Sequence, residues 1–87
     1  MTLHYLKLQA EYFDAVKNGI KTFEIRRNDR DFRLGDTLDL MCFNGEKLVF
    51  SRPNLIVYVT YILTHEQFPD GVPEGYVVMG IRRVKND

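Results

Sequence analysis

Three charged residues stand close together early in the chain: Lys21, Glu24 and Arg26, within Gly19-Ile20-Lys21-Thr22-Phe23-Glu24-Ile25-Arg26. An arginine guanidinium offers a planar fork of donors to a phosphate or a nucleobase edge. A glutamate accepts from an exocyclic amino group. A lysine adds a point charge or, where burial lowers its pKa, a base. Glu24 and Arg26 lie two apart, so on a strand they share a face. With Phe23 and Ile25 assigned to the core side, that face is expected to meet solvent or a cleft. The plainer reading is an ion-pair cluster on the surface, which contributes about 0–1 kcal/mol. Arg27 and Arg30 follow closely and are candidate phosphate contacts, with Asn28 to Arg33 as a loop that either touches phosphates or is merely solvated.

The elements that position these residues follow from periodicity. Leu3 to Leu8 reads as a first strand. Ala10 to Asn18 reads as a short helix, with Phe13, Val16 and Ile20 spaced i, i+3, i+7 and Asn18-Gly19 as its stop. From Lys21 the period changes to two. Gly35-Asp36 marks a turn, and Leu38, Leu40 and Cys42 alternate with polar neighbours up to Phe43. Asn44-Gly45 is a hairpin signal, so Lys47 to Arg52 is expected to return antiparallel before Pro53 breaks it. Leu55 to Leu63 is apolar on both faces and reads as the central strand. His65 to Gly75 is a loop, and Tyr76 to Val84 the last strand. About six mostly antiparallel strands and one early helix predict a mainly β (α+β) fold, a small barrel.

Composition bounds the rest. The 87 residues, 45% of them hydrophobic with six Phe and five Tyr, suit a single domain spanning 1–87. The formal net charge is zero, which argues against a strong non-specific DNA binder. Charge is nevertheless segregated: Lys17 to Arg33 holds six cations against three acids, and the stretch to Glu74 holds six acids against Lys47 and Arg52. Arg82, Arg83 and Lys85 form a second basic group. A local positive patch steers a polyanion even on a neutral chain. The single Cys42 has no partner for a disulfide or a metal pair and falls on the core-facing parity, so it is expected to be a buried thiol. His4 and His65 read as ordinary strand and loop residues. His65-Glu66 does not continue as H-E-x-x-H, because Pro69 stands where the second His belongs. Neither metal nor cofactor is expected. With no long apolar run and no signal peptide, the expected location is the cytoplasm, away from membranes.

Gly19-x-Lys21-x-x-Glu24-x-Arg26 matches the GxKxxExR signature of the ASCH domain, a branch of the PUA-like superfamily. The sequence resembles most closely the ASCH-like group DUF3850. The resemblance runs through Glu11-Tyr12-Phe13, Lys21 to Phe32, Leu34-Gly35-Asp36, Thr60-Tyr61-Ile62 and Glu74 to Ile81. It implies a partly open β-barrel with the helix against one end and a cleft floored by Gly19, Lys21, Glu24 and Arg26. It also implies binding of RNA, single-stranded nucleic acid or a modified nucleoside, as in PUA-like relatives. The alternative is an enzyme, an amidohydrolase of acylated pyrimidine nucleosides or a ribonuclease, with Lys21 and Glu24 as its catalytic pair. In the ASCH-like acetylcytidine amidohydrolase the lysine matches Lys21, but the threonine nucleophile's place is taken here by Glu24.

Overall fold

The computed structural model describes residues 1–84; Lys85 of the second basic group lies outside the described residues. The elements run β1 (Leu3–Gln9), α1 (Ala10–Lys17), β2 (Phe23–Arg27), β3 (Thr37–Phe43), β4 (Leu55–Thr64) and β5 (Tyr76–Arg83). They form one curled sheet, ordered β1-β3-β4-β5-β2. The apolar run Leu55 to Leu63 takes the middle position, as its composition implied. Three pairings are antiparallel, whereas β1 lies parallel to β3 with Leu6 opposite Leu40 and Leu8 opposite Cys42. A parallel pair needs a long crossover, and α1 with β2 supplies it.

Strict alternation on β1 and β3 buries His4, Leu6 and Leu8 against Leu38, Leu40 and Cys42. From β4 and β5 come Val57, Val59, Val77 and Met79, all essentially inaccessible to water, and α1 closes the core with Phe13 and Val16. Apolar burial of this kind is the main force holding so small a domain together. Arg52 ties the helix down from the far side, its guanidinium lying over the Phe13 ring and donating to Asp14 at 2.6 Å.

Three local expectations need correction. Lys47 to Arg52 is not a strand: a single bridge joins Phe43 to Leu48, and the chain then turns as Arg52 N–H donates to Val49 O. Both long edges of β3 are already occupied, by β1 and β4, so a returning hairpin finds room only at the Phe43 end. The sheet therefore has five strands. Ile20 is not part of the helix's buried face; it lies beyond Gly19 and is 79% exposed. On β2 the facing is the reverse of the expectation: Phe23 and Ile25 are exposed, while Glu24 is buried and Arg26 half-buried. β2 is an edge strand, and its inward face looks onto an unpaired, polar edge of β1 rather than onto the apolar core.

Gly19 ends the helix with φ +74°. Its N–H donates to Val16 O, and Ala15 O accepts from both Ile20 and Lys21, so the chain reverses within one turn and delivers Lys21 to the start of β2. A Cβ at Gly19 would touch nothing, so its cost is conformational only. Gly19→Ala is expected to lower stability by about 1 kcal/mol, read as a shifted urea midpoint with an unchanged m-value.

Candidate functional site: a polar cleft at the seam of the curled sheet

The two edges of the sheet, β1 and β2, are bridged by side chains instead of a hydrogen-bond ladder. Arg26 donates to Lys7 O at 2.8 Å, and Arg30, in the loop after β2, donates to Tyr5 O at 2.7 Å. An exposed strand edge is a row of unmet backbone groups, and here two arginines meet two carbonyls. Between α1, β1 and β2 this seam opens into a hollow of about 680 Å³, lined by Lys7, Tyr12, Lys21, Phe23, Glu24, Arg26 and Phe43 among others. That volume lies within the range of small-molecule sites.

Glu24 is the centre of the arrangement. The residue is only 3% exposed. Lys21 Nζ stands 3.4 Å from its Oε2, and Arg26 Nε stands 3.4 Å from its Oε1. A buried carboxylate persists only with such compensation. Both contacts are long for charged pairs, and a carboxylate has about four acceptor positions, so Glu24 retains capacity for a donor from a bound molecule. Lys21 is held more firmly by Phe23 O, at 2.7 Å, with its ammonium 4.9 Å from the Phe23 ring centre and 5.6 Å from that of Tyr12. Lys7 Nζ lies 5.0 Å from the ring centre of Phe43. Three cations (Lys7, Lys21, Arg26) against one acid give the hollow a positive balance, and aromatic rings supply flat apolar walls. These are the elements with which a planar, anionic or donor-bearing ligand is held.

The structure thus brings Lys21, Glu24 and Arg26 together in one concavity. Gly19 does not line it; the glycine's work is the helix stop. Arg27 points to the opposite face of β2 and lies against the Tyr76 ring, 5.1 Å from its centre. Arg30 spends one donor on Tyr5 O. Tyr12, Lys7 and Phe43 were not singled out by sequence reasoning as site residues. Tyr12 has a signal in Glu11-Tyr12-Phe13, but Lys7 and Phe43 are joined only through the register that sets Lys7 opposite Met41 and Gln9 opposite Phe43.

A second charged cluster lies under the Leu34-Gly35-Asp36 turn. Asp36 is buried and accepts from Thr2 N–H at 3.1 Å, Arg33 N–H at 3.0 Å and His4 Nε2 at 2.8 Å. Burial raises the pKa of its carboxyl, but the hydrogen bonds from His4, Thr2 and Arg33 outweigh it and hold the group below its ordinary value. His4 also meets the edge of the Phe32 ring at 4.7 Å. His65, the other histidine, donates from Nδ1 to Val72 O at 2.7 Å across its loop. Cys42 is buried, as expected of a packed thiol. No group of His, Cys, Asp and Glu among the described residues is placed to hold a metal ion.

A five-stranded curled half-barrel with one short helix and a polar seam defines a small mainly β domain of α+β type. Residues 3–81 match the family model described as a domain of unknown function, DUF3850, and the chain belongs to that family. It is 50% identical over 38 residues to an uncharacterized 12.9 kDa protein in the GpA 3′ region of Escherichia phage P2; the match covers 44% of this chain and 35% of the phage protein, about a third of that relative's length. Its fold is similar to the crystal structure of the hypothetical protein PH0355, with a TM-score of 0.59 at 21% identity, covering 97% of this chain and 100% of that one. Among the described residues no helix is long and apolar enough to cross a membrane.

Proposed function

We propose that this domain is a cytoplasmic, ASCH/PUA-like binding module that holds a base of single-stranded nucleic acid, RNA foremost, or a modified nucleoside in the seam cleft. The observation that carries this reading is the convergence of Lys21, Glu24 and Arg26 in one aromatic-walled hollow. Single-stranded bases are recognised by stacking on aromatic rings with polar groups set against their edges. Glu24 accepts from an exocyclic amino group, Lys21 and Arg26 donate to carbonyl or phosphate oxygens, and Tyr12 and Phe43 flank the ring. The GxKxxExR resemblance supports the same reading. Titrating labelled single-stranded RNA and DNA at two salt concentrations tests it. Lys21→Ala and Arg26→Ala are each expected to weaken binding about tenfold, the equivalent of one charge-assisted hydrogen bond. Absence of binding at low salt, or equal binding by the variants, removes the proposal.

A second reading is favoured by one observation, the approach of the Lys21 ammonium to within 3.4 Å of the buried Glu24 carboxylate. A lysine beside a carboxylate is a proton-transfer pair, which suits an amidohydrolase of acylated pyrimidine nucleosides or a ribonuclease. Incubation with acetylcytidine and with RNA decides it: turnover that vanishes in Lys21→Ala supports an enzyme, and substrate left intact after long incubation excludes one.

A further inference from the structure

A second hollow, of about 380 Å³, opens beside the C-terminal end of α1. Its walls carry the cations Lys17, Arg82 and Arg83, with Thr22 and the stem of Lys21, whose ammonium lies in the seam cleft, over an apolar floor of Val57 and Ile81. No acidic side chain is among the described residues that line it. Arg83 donates to Lys17 O at 2.9 Å, which satisfies a free carbonyl at the helix end and fixes one guanidinium at the rim. Lys17 and Arg82 have no ion pair among the described residues. Unpaired cations clustered around a concavity raise the local concentration of an anion. Residues from three separate stretches of sequence build this cluster: the end of α1, the entry to β2 and the end of β5. The first two cations of the earlier basic run, Lys17 and Lys21, meet Arg82 and Arg83 of the later one here.

Lys21 lines both this hollow and the seam cleft. We infer that the second hollow is a phosphate subsite, which takes a backbone phosphodiester of the nucleic-acid strand whose base occupies the seam cleft. This inference rests on the base-binding reading and deepens it: the preferred ligand is a strand rather than a free nucleoside. Lys17 and Arg82 supply charge without base contacts, Arg83 and Thr22 supply directed donors, and the shared Lys21 sits between base and phosphate. Such contacts position a strand and make its affinity depend on salt, while sequence preference stays with the cleft.

The test uses the isotope-labelled full chain, titrated with cytidine and with a mixed-sequence RNA hexamer at about 50 mM and about 200 mM salt. The double variant Lys17→Gln, Arg82→Gln leaves every residue of the seam cleft intact. In the natural chain the hexamer is expected to shift the amides of Gly19, Thr22 and Arg83 as well as those of Glu24 and Ile25, and cytidine only the latter pair. In the variant, hexamer affinity falls about tenfold at the lower salt. Its logarithmic salt slope flattens by about 0.7, the loss of one phosphate contact on a single strand, and cytidine binds as before. Hexamer shifts confined to the seam cleft, or a variant that binds the hexamer with unchanged affinity and slope, overturn the phosphate subsite and leave the base cleft standing. Salt-dependent hexamer shifts at Gly19, Thr22 and Arg83 without any at Glu24 support the subsite and refute the base cleft. No shifts with either probe overturn both.

Discussion

Glu24→Ala is expected to unfold at a temperature about 15 °C lower than the natural chain, from a loss of about 3 kcal/mol. The reason is electrostatic. Lys21 and Arg26 are both half-buried and both face Glu24 at 3.4 Å. Removing the carboxylate leaves two cations facing each other across a hollow, each having lost its counter-charge, and uncompensated buried charge is the costly part of breaking such a pair. Glu24→Gln removes the same charge but keeps the shape and one acceptor oxygen, so it is expected to melt between Glu24→Ala and the natural chain. At a temperature where it is folded, its affinity for single-stranded RNA is expected to fall at least about tenfold, because a charge-assisted acceptor becomes a neutral amide. Thermal unfolding followed by circular dichroism, together with anisotropy titrations of both variants, reads the two effects independently.

Asp36→Ala is expected to cost a similar amount, about 3 kcal/mol, with no involvement of the cleft. One buried carboxylate satisfies Thr2 N–H just before β1, Arg33 N–H in the loop and the His4 ring, the His4 contact fully buried and the two N–H contacts partly so. Alanine leaves these donors without partners, and each buried unmet polar group costs about 1–3 kcal/mol. The same residue sets an acid limit on stability. Its folded pKa lies below the ordinary value of 3.8. Its contribution is therefore fully present above that value and is lost as the pH falls through the lower, folded one. Urea midpoints are expected to drop on acidification below about pH 4, and this part of the drop is expected to be absent from Asp36→Asn, which has no carboxyl to protonate. An identical acid profile in that variant would show that other carboxylates set the limit.

Much of the architecture was legible in the chain because local signals and tertiary packing agree. The alternation of Leu38, Leu40 and Cys42, the apolar run from Leu55 and the Asn18-Gly19 stop each name an element and its limits. The parity of β2 was not legible. Phe23 and Ile25 look like core residues to any rule that sends apolar side chains inward, but an edge strand facing a polar seam turns its charges in. The return strand after Asn44-Gly45 failed for a related reason: a local hairpin signal carries no information that β3 already has neighbours on both sides. The clustering of Lys21, Glu24 and Arg26 at one candidate site was legible from their spacing and the family resemblance. Lys7 and Phe43 were not, because they reach the cleft only through the parallel pairing of β1 with β3, and nothing in the sequence near Lys7 announces that register. Asp36 was visible as a turn residue, but its burial depends on contacts from His4 and Thr2, 32 and 34 positions away.

The convergence of three charged side chains on one base-sized hollow is tested most directly by mapping amide shifts in the isotope-labelled chain as a short single-stranded RNA is added. Saturable shifts centred on Lys21 to Arg26 and on Lys7 to Gln9 across the seam are expected, and in Glu24→Gln they are expected to need at least about tenfold more RNA. Shifts that leave the seam untouched, or that persist unchanged in Glu24→Gln, would contradict the account.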